Sequence, residues 1–174
     1  MKSAIIVVDA QSALFETLSS PYEGTAVIAR INKLTTDARL FRVPVIFTQH
    51  EHPGFIAHAS EGWKLCKTIT AEKKDIFLRK TAGDAFLNTD LHTQLQVLGV
   101  TDLVVCGYAS EFCVDSTVRR AVGLGYTVQL VRDAHTTTDK IHLSAQKIRE
   151  HHNVTLSMSP AVSLKSYTAI EWMV

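Results

Sequence analysis

Short apolar runs, separated by stretches of helical period, constrain this chain more than any other feature. The runs are Ala4–Val8, Val45–Thr48, Ile76–Arg79, Leu103–Gly107, Thr127–Val131 and, weakest, Val154–Met158. Between them, apolar residues recur at steps of three and four: Val27, Ile31, Leu34, Ala38 and Phe41, then Leu87, Leu91, Leu95 and Leu98. Val114, Val118, Ala121 and Val122 repeat the pattern, as do Ile141, Ala145 and Ile148. That spacing marks one face of an amphipathic helix. Pro44 lies beyond the end of the first helix, Gly99 reads as the C-cap of the second, and Gly123 and Gly125 end the third. Thr138 or Asp139 is the expected N-cap of the fourth. Strands without polar alternation, joined by crossover helices, form a parallel sheet covered on both faces. The expected fold class is therefore α/β: a three-layer α/β/α sandwich around a doubly wound, mainly parallel six-stranded sheet. A flavodoxin-like strand order stands as the alternative.

At 174 residues the chain reads as a single domain, 1–174, with no repeat or low-complexity linker to divide it. A formal net charge of +1 provides no electrostatic footprint for nucleic acid or an anionic membrane. The run Ala4–Val8 is too short for a membrane span or signal core and closes on Asp9. Three cysteines without a CxxC pair argue against a disulfide framework, so a reducing, cytoplasmic setting is expected. GxGxxG and P-loop patterns are absent, which removes dinucleotide binding. The stretch Glu51–Lys74 has no strong period and is expected to hold short helices that border a site.

In an open parallel sheet, ligands bind beyond the carboxyl ends of the strands. Asp9 follows the first run, Gln49-His50 the second, Arg79-Lys80 the third, and Tyr108-Ala109-Ser110-Glu111-Phe112-Cys113 the fourth. An acid, a cation and a thiol thus meet at one edge. With Ser110 as N-cap, Cys113 is the third residue of a helix, where free N–H groups and the helix dipole favour a thiolate. Lys80 is expected to lower the thiol pKa further, and Asp9 to take the proton. The backbone N–H groups of Ala109 and Cys113 share that turn and are the candidate oxyanion hole. Taken singly, each residue has a bland alternative: a small core thiol, a turn aspartate, a solvated lysine. Cys106 reads as core, and Cys66 has no evident partner.

These residues resemble the isochorismatase-like cysteine hydrolases, which include nicotinamidases, N-carbamoylsarcosine amidases and isochorismatases. The resemblance runs from Ala4-Ile5-Ile6-Val7-Val8-Asp9-Ala10-Gln11 to about Asp133-Ala134-His135 and is strongest over Leu103–Val114. It implies Asp9 as general base and proton shuttle, Lys80 as electrostatic partner and Cys113 as nucleophile. It also implies a cis peptide between Tyr108 and Ala109 that turns the Ala109 N–H toward the oxyanion. The implied reaction is thiolate attack on a small-molecule amide- or imide-type carbonyl, then thioester hydrolysis. A vinyl-ether hydrolase of the isochorismatase type and a catalytically silent binding domain are the rivals. A homo-oligomer is also implied, to which the apolar Tyr167–Val174 contributes unless it closes its own core.

The chain departs from the metal-binding nicotinamidases at Gln49-His50-Glu51-His52-Pro53, where His50 stands in place of their metal carboxylate. His52 and His58 are zinc-compatible imidazoles, but no third ligand has a convincing spacing. No metal and no cofactor are expected, and His50 and His52 are read as polar loop residues at the pocket. The candidate substrate contacts are Gln11, Phe15, His50, Trp63, Phe86 and Phe112, with core packing the alternative for each aromatic. His135 and His142 are assigned to turns and a helix cap.

Overall fold

The computed structural model describes residues 2–174. Its strands are β1 (Ser3–Val8), β2 (Val45–His50), β3 (Ile76–Lys80), β4 (Asp102–Tyr108), β5 (Thr127–Thr136) and β6 (Val162–Lys165). Every pairing is parallel, in the order β3-β2-β1-β4-β5-β6. That is the Rossmann-type order rather than the flavodoxin-like one. The helices are α1 (Ser12–Phe15), α2 (Gly24–Leu40), α3 (Leu91–Val97), α4 (Asp115–Gly123) and α5 (Ala145–Leu156).

Alternation along β1 divides the core in two. Ala4, Ile6 and Val8 point into one cluster, which Leu91 and Leu95 of α3, Val118 and Ala121 of α4 and Leu156 of α5 complete. Ile5 and Val7 point into the other, against Val27, Ile31, Leu34 and Ala38 of α2. Tyr167, Ile170 and Trp172 pack on this second cluster, so the C-terminal stretch closes its own core. Each fully buried aliphatic side chain contributes roughly 1.5–3 kcal/mol to this sandwich.

Several sequence expectations need correction. Val154–Met158 is not a strand: Val154 to Leu156 belong to α5, and the sixth strand is Val162–Lys165. The β-branched residues there lie in a helix whose N-cap, Ser144, accepts from the Lys147 amide, and Val154 faces solvent. That cap also replaces Thr138 and Asp139, although the Asp139 carboxylate accepts from the Ala145 amide. Ile141, Leu87 and Phe41 fall outside their helices and are exposed. Glu51–Lys74 contains no helix; it is held by turns and by isolated bridges at His52–Ile56 and Gln11–Leu65. β5 runs five residues past the expected Val131, to Thr136, which brings His135 up to the site.

Candidate active site

The strand order decides what meets at the carboxyl edge. Lys80 ends β3, His50 ends β2, Asp9 follows β1 and Tyr108 ends β4, so these four strands present their polar ends side by side. Register pairs His50 directly with Lys80. The chain leaves β1 toward one flank of the sheet and β4 toward the other, so Asp9 and the segment after Tyr108 straddle the switch point. There the connecting helices diverge and leave a crevice.

Asp9 and Lys80 form an ion pair closed to water, with Lys80 Nζ 2.7 Å from Asp9 Oδ2. Asp9 Oδ1 accepts from the Thr48 hydroxyl at 2.7 Å. Oδ2 has the ion contact but no directed hydrogen bond, which leaves it an open acceptor position. The Lys80 ammonium also donates to the Ala82 carbonyl at 3.0 Å and lies 3.3 Å from His50 Nδ1. Burial, and then the Lys80 charge, hold His50 below its ordinary pKa, so its imidazole is neutral at pH 7.

The fourth strand ends in an unusual turn. Gly107 has φ +119°, and a Cβ there would overlap the Val8 backbone, so only glycine lets β4 turn this close to β1. The Tyr108–Ala109 peptide is cis. Ser110–Val114 then forms a single π-helical turn before α4, with Ala109 rather than Ser110 at the N-cap. Cys113 is thus the fourth residue of the turn, not the third of an α-helix. The Ala109 carbonyl accepts from the Phe112 and Val114 amides, and this π register passes over the Cys113 amide between them.

Cys113 is almost completely buried, and ligand atoms of Asp9, His50 and Cys113 lie within 4.8 Å of one another. Burial pushes the Cys113 thiol up to about 12, and the Asp9 carboxylate adds to that rise against the opposing pull of Lys80. The turn and Lys80 were expected to lower this pKa. They are outweighed because desolvating a thiolate beside a carboxylate disfavours the anion. The Cys113 side chain is therefore a thiol beside the Asp9 carboxylate.

Residues 3–158 match the model of the isochorismatase domain. The chain belongs to the isochorismatase family. It is 37% identical over 146 residues to the isochorismatase family protein YddQ of Bacillus subtilis (strain 168), covering 79% of each chain. A streptothricin hydrolase of Streptomyces noursei is also 37% identical, over 138 residues that cover 78% of this chain and 50% of that protein. The chain thus spans half the length of that relative. Among solved structures, an isochorismatase family protein superposes with a TM-score of 0.88 at 32% identity, covering 94% of this chain and 98% of the other. The protein is an isochorismatase-family hydrolase, and among its described residues no helix is long and apolar enough to cross a membrane.

In this isochorismatase-family site a cavity of about 340 Å³ opens onto Asp9 and Cys113. Its walls are Leu14, Phe55, Ile56, Tyr108 and Phe112, with His50 and His52 at the edge. A wider cleft of about 850 Å³ adjoins it across Leu14, Phe55, Tyr108 and Phe112. Of the sequence candidates, His50 and Phe112 line the cavity. Phe15 is in the core against Tyr108, and Phe86 is in the opposite core, stacked on Tyr126. Gln11 spends its amide on scaffolding: it donates to the His50 and Trp63 carbonyls and accepts from the His50 amide, each at 2.9 Å. Trp63 packs edge-on against His58, 4.8 Å between ring centroids. The sequence reading missed Leu14, and it placed Phe55 and Ile56 only within a segment expected to border the site, without naming either.

His52 and His58 do not join His50 in a ligand set. The group that converges, Asp9, His50 and Cys113, already faces the Lys80 ammonium at two of its three members. A fixed positive charge there opposes a metal cation, and these residues do not fit one.

Proposed function

We propose that this enzyme hydrolyses an amide- or imide-type C–N bond of a small molecule through a thioester on Cys113. The observation that carries the reading is the meeting of a buried thiol and an acceptor oxygen of Asp9 at one cavity, with the Lys80 ammonium paired to Asp9 out of reach of solvent. Similarity to a streptothricin hydrolase and, over part of the chain, to a ureidoacrylate amidohydrolase supports the choice of amides.

In this mechanism Cys113 Sγ attacks the substrate carbonyl carbon as its proton passes to Asp9 Oδ2. Keeping the thiol protonated until substrate arrives protects it from adventitious reaction. The carbonyl π electrons move to oxygen, where the Ala109 and Cys113 amides donate to the oxyanion; such donors are commonly worth about 2.7–4 kcal/mol of barrier each. Collapse breaks the C–N bond, and Asp9 returns the proton to the leaving nitrogen. Asp9 then deprotonates a water that attacks the thioester, releasing the acid and restoring the thiol. Lys80 Nζ, 2.7 Å from Asp9 Oδ2, holds the carboxylate in place between steps. Neutral His50 and the apolar walls receive the substrate.

Mass spectrometry of protein quenched during turnover of an amide panel tests the reading. The expected result is an acyl adduct on Cys113 that is absent from Cys113→Ala. Undiminished turnover by Cys113→Ala, or cleavage of a vinyl ether such as isochorismate with no amide accepted, would overturn it.

A further inference from the structure

A second polar chain lies behind the site, and the reaction described above makes no use of it. Ser110 and His135 are both completely buried. Ser110 Oγ lies 2.8 Å from His135 Nδ1, and His135 Nε2 lies 2.9 Å from Asn153 Oδ1. Asn153 Nδ2 donates to the Arg132 carbonyl at 3.1 Å, which fixes its oxygen toward the imidazole. The directions follow from this. Asn153 Oδ1 can only accept, so His135 carries its proton on Nε2, and Nδ1 must accept from the Ser110 hydroxyl. Burial pushes the His135 pKa down to about 4, so the ring keeps this neutral form around pH 7.

The position of the chain gives it a role. Backbone pairing of β4 with β5 ends at Gly107–His135 and Tyr108–Thr136. From Ala109 onward the backbone has turned into the π-helical turn and no longer pairs with β5. Side chains continue the attachment: Ser110 to His135, and next to it Glu111, whose Oε1 accepts from the Thr137 hydroxyl at 2.8 Å. The first two residues of the turn are thus tied to the end of β5.

We infer that Ser110 and His135 are positioning residues, a buried staple that holds the turn so that the Ala109 and Cys113 amides face the substrate oxyanion. The inference rests on the thioester reading above. Asn153 anchors the staple to α5. A displacement near 1 Å in such a turn costs about 100-fold in rate.

Two reactions of the same sulfur separate this role from general damage. Acetylation by 4-nitrophenyl acetate moves an acetyl group to Cys113 Sγ and expels 4-nitrophenolate, with the thiol proton passing to Asp9; it passes through an oxyanion. Alkylation by iodoacetamide displaces iodide from carbon and forms none. Ser110→Ala is expected to slow acetylation by about 10- to 100-fold while alkylation at one fixed pH stays within about twofold. Ser110→Thr, which keeps the hydroxyl, is expected to restore acetylation. His135→Leu removes the acceptor instead and is expected to reproduce the selective loss. Unchanged acetylation in Ser110→Ala, equal loss of both rates, or no recovery in Ser110→Thr would overturn the staple. Ester turnover that survives in Cys113→Ala would instead remove the nucleophile reading, and the staple with it.

Discussion

Lys80 Nζ lies 2.7 Å from Asp9 Oδ2, and water reaches neither side chain. The two residues come from β3 and from the end of β1, with β2 between them. The pair therefore joins the ends of β1 and β3 across β2 at the candidate site.

Breaking this pair is expected to be worse than removing it. Lys80→Met leaves the Asp9 carboxylate buried without its counter-charge and should destabilise the fold by about 3–5 kcal/mol. Asp9→Asn/Lys80→Met should regain most of that stability while staying inactive. Urea unfolding of the three proteins checks this. A double variant no more stable than Lys80→Met would show that the pair's charge balance does not govern stability.

Asp9→Asn is expected to separate thiol ionisation from turnover. Burial is the main cause of the raised Cys113 pKa, and the Asp9 charge adds to it. Without that charge, and with Lys80 still present, the thiol pKa falls below its present value of about 12. Iodoacetamide should then label Cys113 faster at neutral pH, while hydrolysis is lost with the base. Slower labelling than in the native protein would contradict this assignment of charges.

His135 sets a pH limit on stability. Its pKa is about 4 in the folded state, against an ordinary histidine value of 6.5. The cause is first burial; Asn153 opposes it, Arg149 and His152 lower the value further and Asp133 raises it slightly. The unfolded chain therefore binds the proton first, and folding stability falls as pH drops from about 6.5 toward 4. Up to about 3 kcal/mol is at stake by the time both states are protonated. Denaturant midpoints measured across that window should slope accordingly in the native protein and flatten in His135→Asn.

Two phenylalanines, both candidates from sequence, should behave oppositely. Phe86 is core, so Phe86→Ala is expected to cost about 3–5 kcal/mol of stability. Phe112 is exposed where the cavity and the cleft meet, so Phe112→Ala should cost less than about 1 kcal/mol while raising KM. Thermal melts alongside steady-state kinetics distinguish them, and equal loss of stability in both would remove Phe112 from the pocket wall.

The alternation of apolar runs with helical periods determined the α/β class and five of the six strands, because strands covered on both faces, such as β1 and β4, are apolar without polar alternation. The same pattern brought Asp9, Lys80 and Cys113 to one edge, since polar residues at strand ends are local in sequence. The sixth strand escaped because Val154-Thr-Leu reads as a strand until the Ser144 cap and α5 packing override its propensity. Tertiary structure alone decided the strand order, and with it the adjacency of Lys80, His50, Asp9 and Tyr108. It also decided which aromatics face the cavity, since Phe86 and Phe112 differ by environment rather than by pattern. The Cys113 pKa belongs to the same group. Position in a turn argues for a lower value, but desolvation and the Asp9 charge act through space and exist only after β1, β3 and β4 have come together.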